Sequence, residues 1–234
     1  MSLVLLHGFF GAPSDWKSVQ SSLPSTIRVA TPSFVGEEDP ARAVAASLES
    51  PCVIAGYSMG GRVALRIALA RPDLVRGLVM VSSSPGLEDE AERAKRVVVD
   101  EVWAKRLEQE PADVVLKAWY DQALFDSLRA RPEIFEAMLK RRRSADIKVW
   151  APTIRAMSPG RIDSLWNQLP NLAAPIHWVA GSLDTGYVDI AQRASRLSVK
   201  GSHSIVPRAG HALHLEAPEA LAAGLVEFVE RIQS

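Results

Sequence analysis

The sequence has 234 residues, 47% apolar and 23% charged, a composition that suits one ordered domain and excludes a disordered chain. Lys plus Arg and Asp plus Glu balance at 27 each, so no net field recruits nucleic acid or an anionic membrane. The single cysteine, Cys52, excludes an internal disulfide framework and any multi-cysteine metal site. It opens an apolar run, which marks it as a buried, inert thiol.

Short strand-like runs alternate with longer helical patterns, the rhythm of a parallel sheet with crossover helices. Leu3–Leu6 reads as the first strand and runs into the turn Gly8-Phe9-Phe10-Gly11. Asp15, Trp16, Val19 and Leu23 suit a helix with one buried face. Ile27–Ala30 is the second strand, Ala43–Leu48 a helix, Val53–Ala55 the third strand and Gly60–Ala70 a helix of small apolar residues. Leu78–Val81 is the fourth strand. From Glu88 to about Trp166 no strand pattern appears, only charged helical segments carrying four of the six tryptophans. An all-helical insertion over the strand carboxyl ends, where α/β proteins bind ligands, is the expectation. Strands return at Ile176–Ala180 and Ser204–Pro207, and a last helix places Leu221, Leu225, Phe228, Val229 and Ile232 on one face. The expected architecture is a single α/β domain over residues 1–234, with a helical cap at about 88–166. No basic leader precedes Leu3 and no apolar stretch has the length of a membrane span, so a cytoplasmic, soluble protein is expected.

The chemistry centres on Gly56-Tyr57-Ser58-Met59-Gly60, a G-x-S-x-G placed between a strand and a helix. A bare G-x-S-x-G is also what a glycine turn with an N-capping serine looks like. Its position here favours a nucleophile elbow of the α/β-hydrolase fold, in which small neighbours let the chain turn sharply and lift the serine above the sheet. A serine hydroxyl needs a histidine to take its proton. Of five histidines, His211 stands on the loop after the last strand. His177 and His203 flank or enter strands, His7 braces the first glycine turn, and His214 is expected to face solvent or a helix start. A carboxylate must fix the tautomer of that histidine. Asp184, just past the strand Ile176–Ala180, is chosen over Asp189, an exposed helix position. Ser58, Asp184 and His211 then fall in the chain order of the fold. Backbone N–H groups of Met59 and of Phe9 or Phe10 complete the expected site as an oxyanion hole.

A resemblance narrows the chemistry. Leu6-His7-Gly8-Phe9, the stretch Gly56–Leu65 and Ser83-Ser84-Pro85-Gly86-Leu87 are similar to the α/β-hydrolase relatives of menaquinone biosynthesis. The segment Trp119–Leu128, WYDQALFDSL, resembles the W-Y-x-Q-x-[LV]-F-x-S-L cap stretch of the 2-succinyl-6-hydroxy-2,4-cyclohexadiene-1-carboxylate synthase family. The resemblance implies a carbon–oxygen lyase that eliminates pyruvate, with the triad as base, and a small polycarboxylate substrate. It implies pocket positions at Tyr57, Arg62, Arg96 and Trp119, and one further arginine within Lys140–Arg143, with Arg141 the first choice. As a pattern alone that basic run makes a solvated helix face, and Trp119 suits cap packing equally. Arg62 lies one helical turn after Ser58 and so faces the same pocket mouth. Where the family has a P-G-H-G turn, this chain has Pro32-Ser33-Phe34-Val35-Gly36.

The same triad also serves a serine hydrolase of a small carboxylate ester, a thioester or a carbon–carbon bond. A non-catalytic receptor on the same scaffold has no need of all three residues. No nucleotide loop or clustered metal ligands stand in the sequence, so no cofactor is expected. Oligomeric state is not legible in it.

Overall fold

Six strands, β1 (Ser2–Leu6), β2 (Arg28–Ala30), β3 (Cys52–Tyr57), β4 (Val75–Val81), β5 (Ile176–Gly181) and β6 (Gly201–Val206), pair in parallel in the order β2-β1-β3-β4-β5-β6. The structure, a computed structural model, describes residues 2–233. All six residues of β3 are buried, as expected of a central parallel strand covered on both faces. The chain leaves β1 to form β2 on one side and returns to form β3 on the other, so β1 and β3 flank a topological switch point. Clefts open at such points, beyond the strand carboxyl ends.

Alternate side chains along the strands feed two apolar layers. Leu3, Leu5, Val53, Ala55, Val79 and Val81 face Trp16, Val19 and the last helix, whose Leu221, Leu225, Phe228 and Val229 are buried against them. Val4, Leu6, Ile54, Leu78, Met80 and Trp178 face the other way, onto residues of three crossover helices and of the cap. The helical elements begin with α1 (Lys17–Ser21), α2 (Pro40–Ala46) and α3 (Met59–Ala70). The segment between β4 and β5 holds α4 (Glu90–Gln109), α5 (Ala112–Tyr120), α6 (Asp126–Arg129), α7 (Pro132–Arg143) and α8 (Trp150–Ala156). No strand occurs there among the described residues. Arg155 of α8 reaches Glu101 at 2.9 Å and Glu108 at 2.5 Å on α4, lacing the cap across its outer surface. The chain closes with α9 (Thr185–Leu197), α10 (Leu213–Glu216) and α11 (Pro218–Gln233).

Several boundaries differ from the sequence expectation: β4 starts at Val75, three residues before the expected Leu78, and β3 extends to Cys52–Tyr57 beyond the expected Val53–Ala55. The second helix starts at Pro40, not Ala43, because Asp39 caps it by accepting the Arg42 N–H at 3.2 Å and proline suits the first turn. Asp15 and Trp16 lie in a 3-10 turn, Pro13–Trp16, that precedes α1, and Leu23 lies beyond the helix. The last strand covers Gly201–Val206, starting three residues before the expected Ser204. Its polar Ser202-His203-Ser204 hid it, and it is a half-exposed edge. His177 explains part of that polarity, since its ring nitrogens meet the Ser202 and Ser204 hydroxyls at 2.9 and 2.8 Å. No helix among the described residues is long and apolar enough to cross a membrane.

Candidate active site

Ser58 stands between the end of β3 and the start of α3 with φ 51° and ψ −112°, a left-handed conformation that costs a non-glycine residue energy. The surroundings impose it. The Ser58 N–H donates to the Val81 carbonyl at 2.9 Å, and its carbonyl accepts the Gly61 N–H at 3.1 Å and the Ser83 hydroxyl at 2.7 Å. A Cβ at Gly56 would collide with the Gly60 carbonyl, and one at Gly60 with the carbonyls of Leu6 and His7. Glycine at both positions is therefore what lets strand and helix approach closely enough to raise the Ser58 side chain above the sheet.

Asp184 follows β5 in a turn closed by its own N–H on the Gly181 carbonyl at 3.0 Å. His211 follows β6 on the loop before α10. Its Nδ1 lies 2.7 Å from Asp184 Oδ2 and its Nε2 3.3 Å from Ser58 Oγ. The imidazole is buried, with the Tyr187 ring 4.7 Å and the Phe125 ring 6.0 Å away between centroids. Asp189 is exposed on α9 and takes no part. Three side chains from three strand ends thus form a continuous hydrogen-bonded relay.

The relay opens into a cavity of about 410 Å³ roofed by the cap. Its walls carry Arg62, Arg96 and Arg142, together with Asp15 and Asp100. Arg96 is engaged by Asp100, with Nε 2.8 Å from one carboxylate oxygen. Arg142 holds Asp15 through two bonds, Nη1 to Oδ1 at 3.0 Å and Nη2 to Oδ2 at 2.5 Å. Burial raises the Asp15 pKa, but the charge and hydrogen bonds of Arg142 outweigh it and hold the acid below its ordinary range. Arg62 differs. It is 7% exposed, and its buried Nε finds no partner among the described residues. Burial pulls its pKa below the ordinary arginine value. A buried guanidinium with an unpartnered Nε on a cavity wall is a standing demand for an anion. Among the described residues, no three His, Cys, Asp or Glu side chains group as metal ligands.

Residues 3–224 match the alpha/beta hydrolase family. The chain belongs to that family. Among its alpha/beta hydrolase relatives is the 2-succinyl-6-hydroxy-2,4-cyclohexadiene-1-carboxylate synthase of Serratia proteamaculans, 31% identical over 97% of this chain and 92% of that one. The solved structure of MenH from S. aureus superposes with a TM-score of 0.94 at 25% identity, covering all of this chain and 95% of that one. The chloroplastic protein PHYLLO of Arabidopsis thaliana is 29% identical over 99% of this chain, which spans only 15% of that protein's length. The chain is an enzyme of the hydrolase fold.

The structure brings Ser58, Asp184, His211, Met59, Phe9, Tyr57, Arg62, Arg96 and Trp119 to one cavity. Two of the expected residues, Phe10 and Arg141, are not among those lining the cavity. Phe10, with φ 56°, turns its ring into the core beside Phe9, Trp119 and Trp150, which leaves Phe9 as the aromatic of that turn on the cavity wall. Arg141 does not line the cavity: its side chain is 39% exposed, donates to the Ala137 carbonyl at 3.1 Å and lies 3.6 Å from Asp15 Oδ1, while its neighbour Arg142 stands on the cavity wall. His214 stands at the start of α10, one of the two placements expected of it. It is buried, not solvent-facing, with its ring 4.1 Å from that of Tyr57 and 5.3 Å from that of Trp16. His7 does brace its loop, stacked on Phe34 at 4.3 Å with Nδ1 3.0 Å from the Gly8 carbonyl.

These two buried imidazoles set an acid limit on stability. Burial, opposed by the Asp15 charge, pushes the pKa of His214 down to about 3, and burial pushes that of His7 down to about 4. The unfolded chain takes up these protons near pH 6.5 while the folded chain refuses them, so their contribution is complete above pH 6.5 and is lost as pH falls towards 4. Each group should cost about 1.4 kcal/mol per pH unit across that window. Urea unfolding at pH 7 and pH 5 measures the slope, and His214→Phe should flatten it. An unchanged slope in that variant would show that His214 is charged in the folded protein.

Proposed function

We propose that this enzyme eliminates pyruvate from 2-succinyl-5-enolpyruvyl-6-hydroxy-3-cyclohexene-1-carboxylate, leaving 2-succinyl-6-hydroxy-2,4-cyclohexadiene-1-carboxylate, with Ser58, His211 and Asp184 as the base. The observation that carries the reading is Arg62: a buried guanidinium whose Nε has no partner among the described residues, on the wall of the cavity that also holds Ser58 and His211. A neutral ester leaves that cation unsatisfied, whereas a substrate with several carboxylates supplies its partner. Arg96 and Arg142, each already steadied by an acid, offer further donors on the same wall. The similarity to synthases of this name supports the same substrate.

The chemistry follows from the relay. The ring C–H beside the succinyl carbonyl gives its proton to Ser58 Oγ as the Ser58 proton passes to His211 Nε2. Asp184 holds the imidazole in the tautomer that accepts it and steadies the imidazolium. Charge developing on the succinyl oxygen is met by the N–H groups of Met59 and Phe9, beside the start of α3. The released pair forms a double bond to the adjacent ring carbon, the existing ring double bond shifts one position towards the carbon that bears the enolpyruvyl group, the carbon–oxygen bond there breaks, and the departing enolate takes the proton held by His211 to become pyruvate. No water is consumed. Tyr57, whose pKa burial pushes well above its ordinary value, stays a protonated hydroxyl throughout.

The deciding experiment is pyruvate release from the substrate generated in situ, with Ser58→Ala as the control for spontaneous breakdown. Acceleration that depends on Ser58 supports the lyase. No acceleration, with turnover of short esters through a trappable acyl-Ser58, would move the site to the hydrolase reading, which the 3.3 Å Ser58–His211 contact and the elbow geometry serve equally well.

Arg62 yields a paired test. Arg62→Met should lower kcat/KM for the polycarboxylate about 100-fold through loss of a charge-assisted contact. The same variant should unfold at a higher temperature than wild type, because it removes an unsatisfied buried charge. Reduced stability instead would mean that Arg62 braces the fold.

A further inference from the structure

Glu216 ends α10 with its carboxylate shielded from solvent, yet the nearest arginine nitrogen on it, Arg131 Nη2, is 4.0 Å away. The acid takes neutral donors instead. Oε2 accepts the Gly210 N–H at 2.9 Å, and Oε1 accepts the Ala212 N–H at 3.1 Å and the Ser127 hydroxyl at 3.2 Å. Gly210 and Ala212 are the two residues on either side of His211. Capping a four-residue helix needs only the Ala212 bond, so the span across His211 and the bond from Ser127 ask for another reason. A buried carboxylate is expensive unless fully hydrogen-bonded, and this one is spent on the backbone that carries the catalytic imidazole.

The clamp is also joined to the cap. Ser127 belongs to α6, and a Cβ at Gly210 would collide with its hydroxyl. Arg131, which precedes α7, donates to the Glu216 carbonyl and, at 2.7 Å, to the Arg208 carbonyl. Cap side chains therefore grip the His211 loop at both ends. The 3.3 Å separation of His211 from Ser58 has little tolerance for drift, since small misplacements of catalytic groups are costly.

We infer that Glu216 is a positioning residue of the active site, fixing His211 over Ser58 through the Gly210 and Ala212 amides, and that Ser127 ties this clamp to the cap. The inference rests on the triad reading and is the same whether the substrate is a polycarboxylate or an ester. A probe independent of substrate therefore tests it: an alkyl fluorophosphonate, in which Ser58 Oγ bonds to phosphorus, fluoride leaves and His211 takes the proton. Glu216→Gln places an amide N–H against one of the two backbone donors and should label Ser58 about 10- to 100-fold more slowly than wild type. Its kcat should fall in parallel while KM stays within about twofold, since a displaced base weakens the chemical step and not binding. Ser127→Ala, which leaves the buried charge in place, should label measurably more slowly than wild type. Wild-type labelling by folded Glu216→Gln would overturn the clamp while leaving the triad intact, and an unlabelled wild type would remove the triad reading and the clamp together. If Glu216→Gln does not fold, Ser127→Ala decides, and labelling at the wild-type rate overturns the inference.

Discussion

Ser58→Ala and His211→Ala should each slow pyruvate release by a factor of about 10³ to 10⁴, the range a positioned base and its relay supply. The two residues lie on one proton path, Ser58 Oγ to His211 Nε2 over 3.3 Å, so they act as a unit. The double variant should therefore be no slower than the slower single variant, as seen when members of one relay are removed together. Asp184→Asn should fall nearly as far. Its amide leaves the 2.7 Å contact to Nδ1 in place but favours the tautomer that cannot accept the serine proton. None of these losses should come from unfolding. Alanine meets the same positive φ at position 58 as serine does, and the backbone bonds that impose it involve no atom of the Ser58 side chain. Steady-state release with matched thermal unfolding curves checks the set. A Ser58→Ala enzyme with near-wild-type release would mean that another group takes the ring proton, and the base assignment would fall.

What could be read before the structure was what local chemistry encodes. The β3 run and the glycines around Ser58 have no cheaper use than a sharp strand-to-helix turn, so the elbow stands out in isolation. Asp184 and His211 were legible because each stands on the loop after one of the last two strands, in the order the elbow requires. The misplaced residues are those whose meaning depends on a distant partner. Arg141 and Arg142 are indistinguishable as charges, but the helical period carried a usable signal. Met138 and Leu139 are buried on α7, and the same face returns at Arg142, not at Arg141. Asp15 gave no such signal. Its partner is 127 residues away, and nothing in Pro13–Trp16 shows which cation the acid will meet. Glu216 and His214 were hidden in the same way, since one binds the loop before it and the other packs on Tyr57. The edge strand β6 was read short because solvent tolerates its serines.

Removing the Asp15 carboxylate should destabilise the protein by about 3–5 kcal/mol, because it leaves Arg142 buried without its partner. For a chain of this length that corresponds to a fall in Tm of about 10 °C. Asp15 and Arg142 have side-chain exposures of 1% and 7%, and their paired bonds fasten the turn before α1 to α7 of the cap. The expected cost is therefore coupling between the cap and the sheet domain, not a surface charge lost to solvent. Asp15→Ala with Arg142→Met should be less destabilised than Asp15→Ala alone, since the stranded charge is gone, and the double-mutant cycle isolates that term. The two variants should part on ligand. Arg142 lines the catalytic cavity, so in Asp15→Ala a small polycarboxylate such as citrate replaces the missing acid and should raise Tm more than it does in wild type. In the double variant that extra rise should vanish. If citrate protects wild type and Asp15→Ala equally, Arg142 is a brace for the cap and not a binding group. The cavity would then meet its substrate with Arg62 and Arg96.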